Sequence, residues 1–224
     1  METFDYVIVG GGTAACVLAN RLTACGKYSV LMLEAGGEPK SRWINIPAGF
    51  TKLLNDPTYN WRFETEPEDN VHGRTIAIPR GKGLGGSSLI NGMIYVHGQP
   101  EDYDHWAALG AQGWSAQEVM PYFKKIETYM QGGAHRGKSG PMHIHHVSER
   151  FPIAEAVLQA AAQDGQKLTD DYNGVDQEGF GYYQVAQKGG QRWSAADGYL
   201  QPVRHRKNLT VRTGAHVTKL LLSS

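Results

Sequence analysis

The sequence predicts an α/β fold organised around a parallel sheet. Three observations carry that prediction. An apolar run from Phe4 to Val9 stops at Gly10-Gly11-Gly12. Ala14, Val17, Leu18 and Leu22 then recur at helical spacing, and a second apolar run, Tyr28 to Leu33, ends on Glu34. The order is strand, glycine turn, helix, strand, acid.

The glycines of the first turn have mechanical jobs. Gly10 permits a tight turn, and Gly12 lets the backbone approach a pyrophosphate with no Cβ in the way. The third position must be small so that the helix can lie on the strand, and here it is Ala15, giving G-x-G-x-x-A. The helix N-terminus offers free N–H groups and the positive end of its dipole to phosphate. Gly26 stands where a helix C-cap is expected. Glu34, 22 positions after Gly12, is placed to accept hydrogen bonds from ribose hydroxyls, and its charge disfavours a 2′-phosphate. The unit is a Rossmann-like βαβ dinucleotide site over residues 1–37, followed directly by Ala35-Gly36-Gly37.

Composition agrees with an ordinary globular chain. Of 224 residues 41% are hydrophobic and 20% charged. Lys plus Arg and Asp plus Glu are 22 each, so the net charge is zero. Nucleic acid and anionic membranes need a positive excess and are not expected partners. Glycine is frequent, 28 residues, without a collagen period. Cys16 and Cys25 cannot build a disulfide framework and read as buried or free thiols in a reducing compartment. No apolar run approaches the roughly 18 residues of a membrane span. The acidic start, Met1 to Asp5, is no signal peptide, so the cytoplasm is the expected location.

A second glycine cluster lies at residues 79–98. Six glycines (81, 83, 85, 86, 92 and 98) fall within 18 positions. Such density implies backbone lying close against something flat or charged. Arg80 and Lys82 add positive charge, and Ser87 and Ser88 add hydroxyls. Leu84, Leu89, Ile90, Met93 and Ile94 are too apolar for a solvated linker. An anionic or polar-ring ligand fits this stretch.

The run from Gly81 to Trp106, G-K-G-L-G-G-S-S-L-I-N-G-M-I-Y-V-H-G-Q-P-E-D-Y-D-H-W, resembles the second signature region of the glucose–methanol–choline (GMC) oxidoreductases, most closely the choline dehydrogenase-like bacterial alcohol dehydrogenases. Tyr59-Asn60-Trp61, Thr65-Glu66-Pro67, Gly113-Trp114-Ser115, Pro121-Tyr122-Phe123, Gly179-Phe180-Gly181, Ser194 to Leu200 and Asn208-Leu209-Thr210-Val211 extend the resemblance over essentially the whole chain. It implies an FAD-binding region with inserted helices and the beginning of a substrate-binding α+β domain, incomplete relative to the family. Elements of that second domain are expected from about residue 150 to 205, with a return to the FAD domain at 206–224. The implied activity is oxidation of an alcohol to an aldehyde or ketone.

By the same resemblance Thr13, Ala14, Glu34 and Ala35 hold the ADP end of FAD, with Gly10, Gly12 and Ala15 shaping that turn. Trp61 and the backbone of Val217 lie near the adenine. Arg80, Gly81, Gly85, Gly86, Ser87, Asn91, Gly92, Met93 and Ile94 line the pyrophosphate and isoalloxazine. Some relatives attach FAD through a histidine just before the motif's asparagine. Ile90 stands there, so non-covalent FAD is expected. The family's catalytic base is a histidine near a far C-terminus, paired with His or Asn. It is expected beyond Ser224, on the same polypeptide or a second one, so no catalytic residue is assigned here. The partners implied are a small-molecule alcohol and an acceptor, a quinone-like carrier or O₂. A non-catalytic module holding a dinucleotide or a partner polypeptide is the alternative. An NAD-dependent dehydrogenase would leave residues 79–98 unexplained.

The remaining elements follow local signals. Ser115-Ala116-Gln117-Glu118 is a capping box that starts a helix, in which Pro121 should impose a kink or break. Residues 131–140 read as a flexible loop. Ile153, Ala154, Val157, Leu158 and Ala161 mark a helix ending near Gly165. Residues 180–222 read as strands with one helix near Ser194 to Val203, the last strand closing the chain. His143, His145 and His146 form an exposed polar face and no metal site is expected. His97 could line the active-site side, and Asp102 and Asp104 favour a helix start.

Overall fold

The structure, a computed structural model, describes residues 2–222. In chain order the strands and α-helices are β1 (Tyr6–Val9), α1 (Thr13–Leu22), β2 (Val30–Leu33), α2 (Arg42–Asn45), α3 (Phe50–Leu53), β3 (Phe63–Glu64), β4 (Ala77–Ile78), β5 (Ile94–Tyr95), α4 (Pro100–Ala108), α5 (Ala116–Ile126), β6 (Glu127–Thr128), β7 (Met142–His146), α6 (Pro152–Gln163), β8 (Gln184–Lys188), β9 (Gln191–Arg192) and β10 (Leu209–Arg212). The chain divides into two compact units, residues 1–92 with 190–224, and residues 93–189.

The first unit is the βαβ core. Strands β1, β2 and β10 form a parallel sheet in the order β1-β2-β10, with Ile8 opposite Met32 and Val211 opposite Met32 on the other side. The central strand β2 has Val30, Leu31 and Met32 buried, as a strand covered on both faces should. The edge strand β1 leaves Val7 and Val9 54% and 55% exposed. Helix α1 buries Ala15, Cys16 and Ala19, a stripe of small side chains, while Leu18 faces out. Its C-cap is Thr23, whose Oγ1 donates to Ala19 O at 2.7 Å. Gly26, at φ +70°, closes the following turn instead of the helix.

The helix expected near Ser194 to Val203 is present, as a π-helical turn at Ala196–Leu200 that runs into a 3₁₀ turn at Gln201–Val203. Pro202 lacks the N–H that α-helical pairing requires, and Asn20 Nδ2 caps Tyr199 O at 2.8 Å. The final strand is absent: after β10 the described residues form none. Ala215 donates to Glu34 O and Gly214 to Gly36 O. Among the described residues, no strand lies beside Val217 to Leu222 to pair with them.

The second unit holds a sheet in the order β5-β8-β7-β6, with β5/β8 and β7/β8 antiparallel and β6/β7 parallel. Helix α5 opens on the expected capping box, Ser115 N donating to Glu118 Oε2 at 3.1 Å. It runs through Pro121 unbroken. The carbonyl left without a donor belongs to Gln117, which is exposed and open to water. Helix α4 is capped by Asp102, which accepts Gln99 N–H at 2.8 Å, and Asp104 accepts Ala116 N–H at 2.9 Å, tying α4 to α5. Helix α6 ends at the αL residue Gly165 as expected.

Residues 131–140 are not a loose loop. They deliver Arg136, 1% exposed, into the unit's interior. Its guanidinium makes a fork with Glu127, Nε to Oε1 at 2.8 Å and Nη2 to Oε2 at 2.7 Å, and Nη1 donates to Asp171 Oδ1 at 2.6 Å and Gln184 Oε1 at 2.9 Å. Burial works to depress this guanidinium's pKa, and hydrogen bonding and charge from Glu127 and Asp171 outweigh it, so the net displacement is upward. Gly137 is packed against Lys124 O and Glu127 O. Gly137 and Gly140 pass close to the backbone of residues 124–127, which a side chain would block.

Candidate functional site

Glu34 builds the first glycine turn. Gly10 takes φ +89°, which glycine alone adopts without strain. Glu34 is buried, and it accepts Gly11 N–H on Oε2 at 2.5 Å and Gly36 N–H on Oε1 at 2.7 Å. The carboxylate therefore clamps the turn after β1 to the turn after β2. Its primary partners are backbone amides, which the spacing to Gly12 did not reveal. Each oxygen retains a further lone pair for a hydroxyl donor. A Cβ on Gly11 would lie 2.8 Å from Leu84 Cδ2 and 3.1 Å from Glu34 Oε2. The middle glycine, which the G-x-G-x-x-A pattern leaves without a role, is thus fixed by packing.

Helix α1 begins at Gly12 with no side chain capping it. The first intrahelical bond is Cys16 N–H to Gly12 O. The N–H groups of Thr13, Ala14 and Ala15 have no intrahelical acceptor, and they carry the positive end of the dipole. A Cβ on Gly12 would meet nothing within 4 Å, and one on Gly10 likewise. Donors and open space coincide there.

The second glycine cluster packs directly on the first. Gly85 N–H donates to Gly11 O at 2.7 Å, and Leu84 N–H to Gly37 O at 3.2 Å. Gly86, at φ +55°, comes so close that a Cβ on it would lie 2.8 Å from Gly12 Cα. Residues Gly86–Leu89 form a 3₁₀ turn. Ser88 Oγ donates to Gly85 O at 2.6 Å, and Ser87 Oγ accepts Gly81 N–H at 3.0 Å. Buried Asn60 ties the segment around Trp61 to Arg80: its Oδ1 accepts from Arg62 N and Arg80 N, and its Nδ2 donates to Leu54 O. Trp61 N–H donates to Arg80 O. The Trp61 ring stacks on Phe63 and meets His216 edge-on at 5.4 Å, with Lys82 Nζ 5.0 Å from its centroid.

A cavity of about 340 Å³ lies between these parts, lined by Val9, Gly10, Gly12, Leu33, Glu34, Ala35, Trp61, Gly81, Gly86, Ala215, His216 and Val217. Eight residues singled out from the sequence therefore face one space: Gly10, Gly12, Glu34, Ala35, Trp61, Gly81, Gly86 and Val217. Thr13 and Ala14 are not in the lining; they open α1 directly after Gly12, and Ala15 is buried. Arg80 is not in the lining; it is exposed and turns Nη1 to Pro79 O at 2.9 Å. Asn91 sits at the end of the 3₁₀ turn with its Oδ1 accepting from Arg192 Nη1 at 2.7 Å. Gly92 closes the first unit, and Met93 and Ile94 open the second. Met93 takes φ +63°, a strained value for a side chain of its size.

These residues fit an extended dinucleotide. The helix N-terminus supplies donors for a diphosphate, the glycines leave the cradle unfilled, and the indole offers a flat apolar wall. Ile90 is 2% exposed and belongs to an apolar cluster with Ile44, Leu53, Tyr59 and Leu89. It carries no nucleophile, and its side chain is committed to the core.

His97 belongs to the second unit. Its Nε2 pairs with Tyr95 Oη at 3.1 Å, its ring packs on Phe123, and its backbone N–H donates to Asn173 Oδ1. Burial pushes its imidazole pKa down to about 4, so it is neutral at physiological pH. In the His-rich strand β7, Ile144 is buried and His146 Nε2 pairs with Tyr129 Oη at 2.5 Å. Among the described residues no group of three or more His, Cys, Asp or Glu is arranged to hold a metal. Also among them, no helix is long and apolar enough to cross a membrane.

Cys16 lies beneath the first turn, fully buried, with Sγ 3.5 Å from Gly11 O. Burial pushes its thiol up to about 12, which keeps it protonated and inert. Cys25 is exposed. A thiol reagent at pH 8 should label Cys25 and spare Cys16 in the folded protein, as read by peptide mapping. Equal labelling of both under native conditions would contradict the packing described.

A family model for GMC oxidoreductases matches residues 4–224. The oxygen-dependent choline dehydrogenase of Photobacterium profundum is 44% identical over 225 residues, covering 99% of this chain and 40% of that protein. Among solved structures, pyridoxine 4-oxidase from Mesorbium loti superposes with a TM-score of 0.93 at 37% identity, covering 99% of this chain and 44% of that one. An FAD-dependent oxidoreductase from Chaetomium thermophilum gives 0.85 at 29% identity, covering 94% and 38%. The chain thus spans less than half the length of each of these relatives.

Proposed function

Because the chain belongs to the GMC oxidoreductase family, as its N-terminal FAD-binding region, we propose that it holds non-covalent FAD in an enzyme that oxidises an alcohol to an aldehyde or ketone. The observation that carries this reading is the shared cavity: both glycine turns, the acid after β2 and Trp61 face one space of about 340 Å³. When bound, FAD supplies a hydride acceptor at its N5. This chain's residues bind and orient it. The N–H groups of Thr13, Ala14 and Ala15 take the phosphates, and Glu34 and Ala35 take the ribose. Trp61 and the Val217 backbone take the adenine. The turn from Gly85 to Gly92, with Met93 and Ile94, takes the flavin end. The buried Ile90 offers no nucleophile at the position before Asn91, which supports non-covalent binding.

Choline and pyridoxine, named in the relatives, both carry an alcohol, which supports an alcohol as substrate class. The base that takes the alcohol proton is assigned to a C-terminal portion of the enzyme. The electron acceptor is O₂ or a quinone-like carrier. The test is anaerobic: the full-length protein should show flavin absorbance that bleaches on adding an alcohol substrate from a screen. Denaturation should release the flavin from the polypeptide. A colourless protein that takes up no added FAD would contradict the reading, and flavin retained on the denatured chain would contradict non-covalent binding. Reoxidation by air against reoxidation by a quinone separates the two acceptors.

A further inference from the structure

Two rings from distant parts of the chain meet in the lining of the first unit's cavity. After β10 the chain turns at Gly214, φ +67°. It is latched there to the turn after β2: Gly214 N–H donates to Gly36 O at 2.9 Å, and Ala215 N–H donates to Glu34 O at 2.8 Å. Ala215, His216 and Val217 then stand together in the lining. Trp61 stands in the same lining, and backbone pairing fixes its segment independently. Trp61 N–H donates to Arg80 O at 2.9 Å, and Lys82 N–H to Tyr59 O at 2.8 Å. The indole and imidazole centroids lie 5.4 Å apart, with the ring planes inclined at 61°.

The other polar side chains of the lining are already engaged. Glu34 spends an oxygen each on the Gly11 and Gly36 amides. The Trp61 ring stacks on Phe63 and takes the Lys82 ammonium. His216 is exposed, and among the described residues its imidazole makes no hydrogen bond or ion pair; its ring contact is the indole. An exposed side chain held by one such contact adds little to folding. What it does supply is the second side of a corner. A planar ring laid on either of two inclined rings meets the other along its edge, and stacked and edge-to-face contacts are the two favourable arrangements of aromatic systems.

We propose that His216 is a binding residue for the adenine base of FAD: with Trp61 it forms a two-ring corner that takes the planar base, and its imidazole serves as ring surface. The inference rests on the reading that the Trp61 end of the cavity receives the adenine. The two latches of Gly214 and Ala215 then have a purpose beyond closing the chain onto the sheet, because they station this ring beside Trp61 before any ligand arrives. A histidine that was merely exposed would leave nucleotide affinity unchanged when removed.

The test uses the full-length protein, freed of FAD, and two variants, His216→Ala and His216→Phe. Three quantities are read: the FAD dissociation constant by calorimetry, the ADP concentration that displaces half of the bound FAD, and the melting temperature of the FAD-free form. In His216→Ala, FAD should bind about tenfold more weakly, the scale of one base–aromatic contact. Affinity for ADP should fall by the same factor, because the contact lies on the adenine half. The melting temperature should stay within about 2 °C of the wild type. His216→Phe keeps a flat ring and should recover most of both affinities. Wild-type FAD affinity in His216→Ala would overturn the proposal. So would a loss on FAD with none on ADP, which puts the residue away from the base. A His216→Phe variant as weak as His216→Ala would overturn it too, since ring surface would then not be what binds. A weakening that tracks a fall in the melting temperature would make the ring a structural support and overturn it as well. Failure of ADP to displace FAD from the wild-type protein would instead remove the reading of this cavity end, and this inference with it.

Discussion

Gly81→Ala is expected to abolish flavin uptake and to destabilise the protein by about 3 kcal/mol or more, the upper end for overpacking. The methyl group would lie 2.1 Å from Gly86 O, 2.3 Å from Gly86 C and 2.6 Å from Ser87 N. All three are backbone atoms, so no rotamer change relieves the collision. Gly86 in turn abuts Gly12, and a displacement of the second turn is passed straight to the first. The same substitution also strains the Gly81 N–H bond to Ser87 Oγ. Flavin-to-protein ratio from the visible absorbance and a melting curve measure both effects. A wild-type flavin ratio in the variant would show that the two turns are not held as described.

Arg136→Met should be comparably severe by a different route. It leaves Glu127, a fully buried carboxylate, without its fork and removes one of several donors from Asp171 and from Gln184. Breaking one side of a buried ion pair costs about 3–5 kcal/mol, which for a chain of this size lowers the melting temperature by about 10 °C. The damage lies in the second unit, so the protein that remains folded should still carry flavin. Adding Glu127→Gln should restore part of the loss, because the carboxylate left unpaired is then neutral. A melting temperature unchanged in Arg136→Met would contradict the burial of this network.

The βαβ unit was legible because its signals are local. Gly10, Gly12, Ala15 and Glu34 lie within one strand–turn–helix–strand stretch, where periodicity and turn chemistry point the same way. The second glycine cluster was legible as a packed segment and not a solvated linker because Leu84, Leu89 and Ile90 stand among its glycines, and all three are buried. Its partner was not, since Gly85 meets Gly11 from far along the chain. Arg192 was invisible for the same reason: its acceptors Ile44 O and Ser88 O lie 148 and 104 positions away. Residues 131–140 were misread because glycine and charge look alike in a solvated loop and in a segment threading past backbone. The expected strand after β10 failed on pairing, since an apolar run becomes a strand only beside another strand. Pro121 was expected to kink or break α5; the helix is continuous through it, with the lost hydrogen bond at the exposed Gln117 carbonyl and a capping box holding the first turn.

We place the phosphates of the dinucleotide in the open space at the start of α1. Gly12→Ala tests that placement most directly. Gly12 has φ −72°, which alanine adopts freely, and the added methyl would meet nothing within 4 Å in the protein. The full-length apoprotein should therefore melt at the wild-type temperature. FAD titrated against it should bind about 100-fold more weakly or not at all, because the methyl occupies the space between the helix N-terminus and the phosphates. If Gly12→Ala binds FAD as the wild type does, the cradle lies elsewhere and the account is wrong.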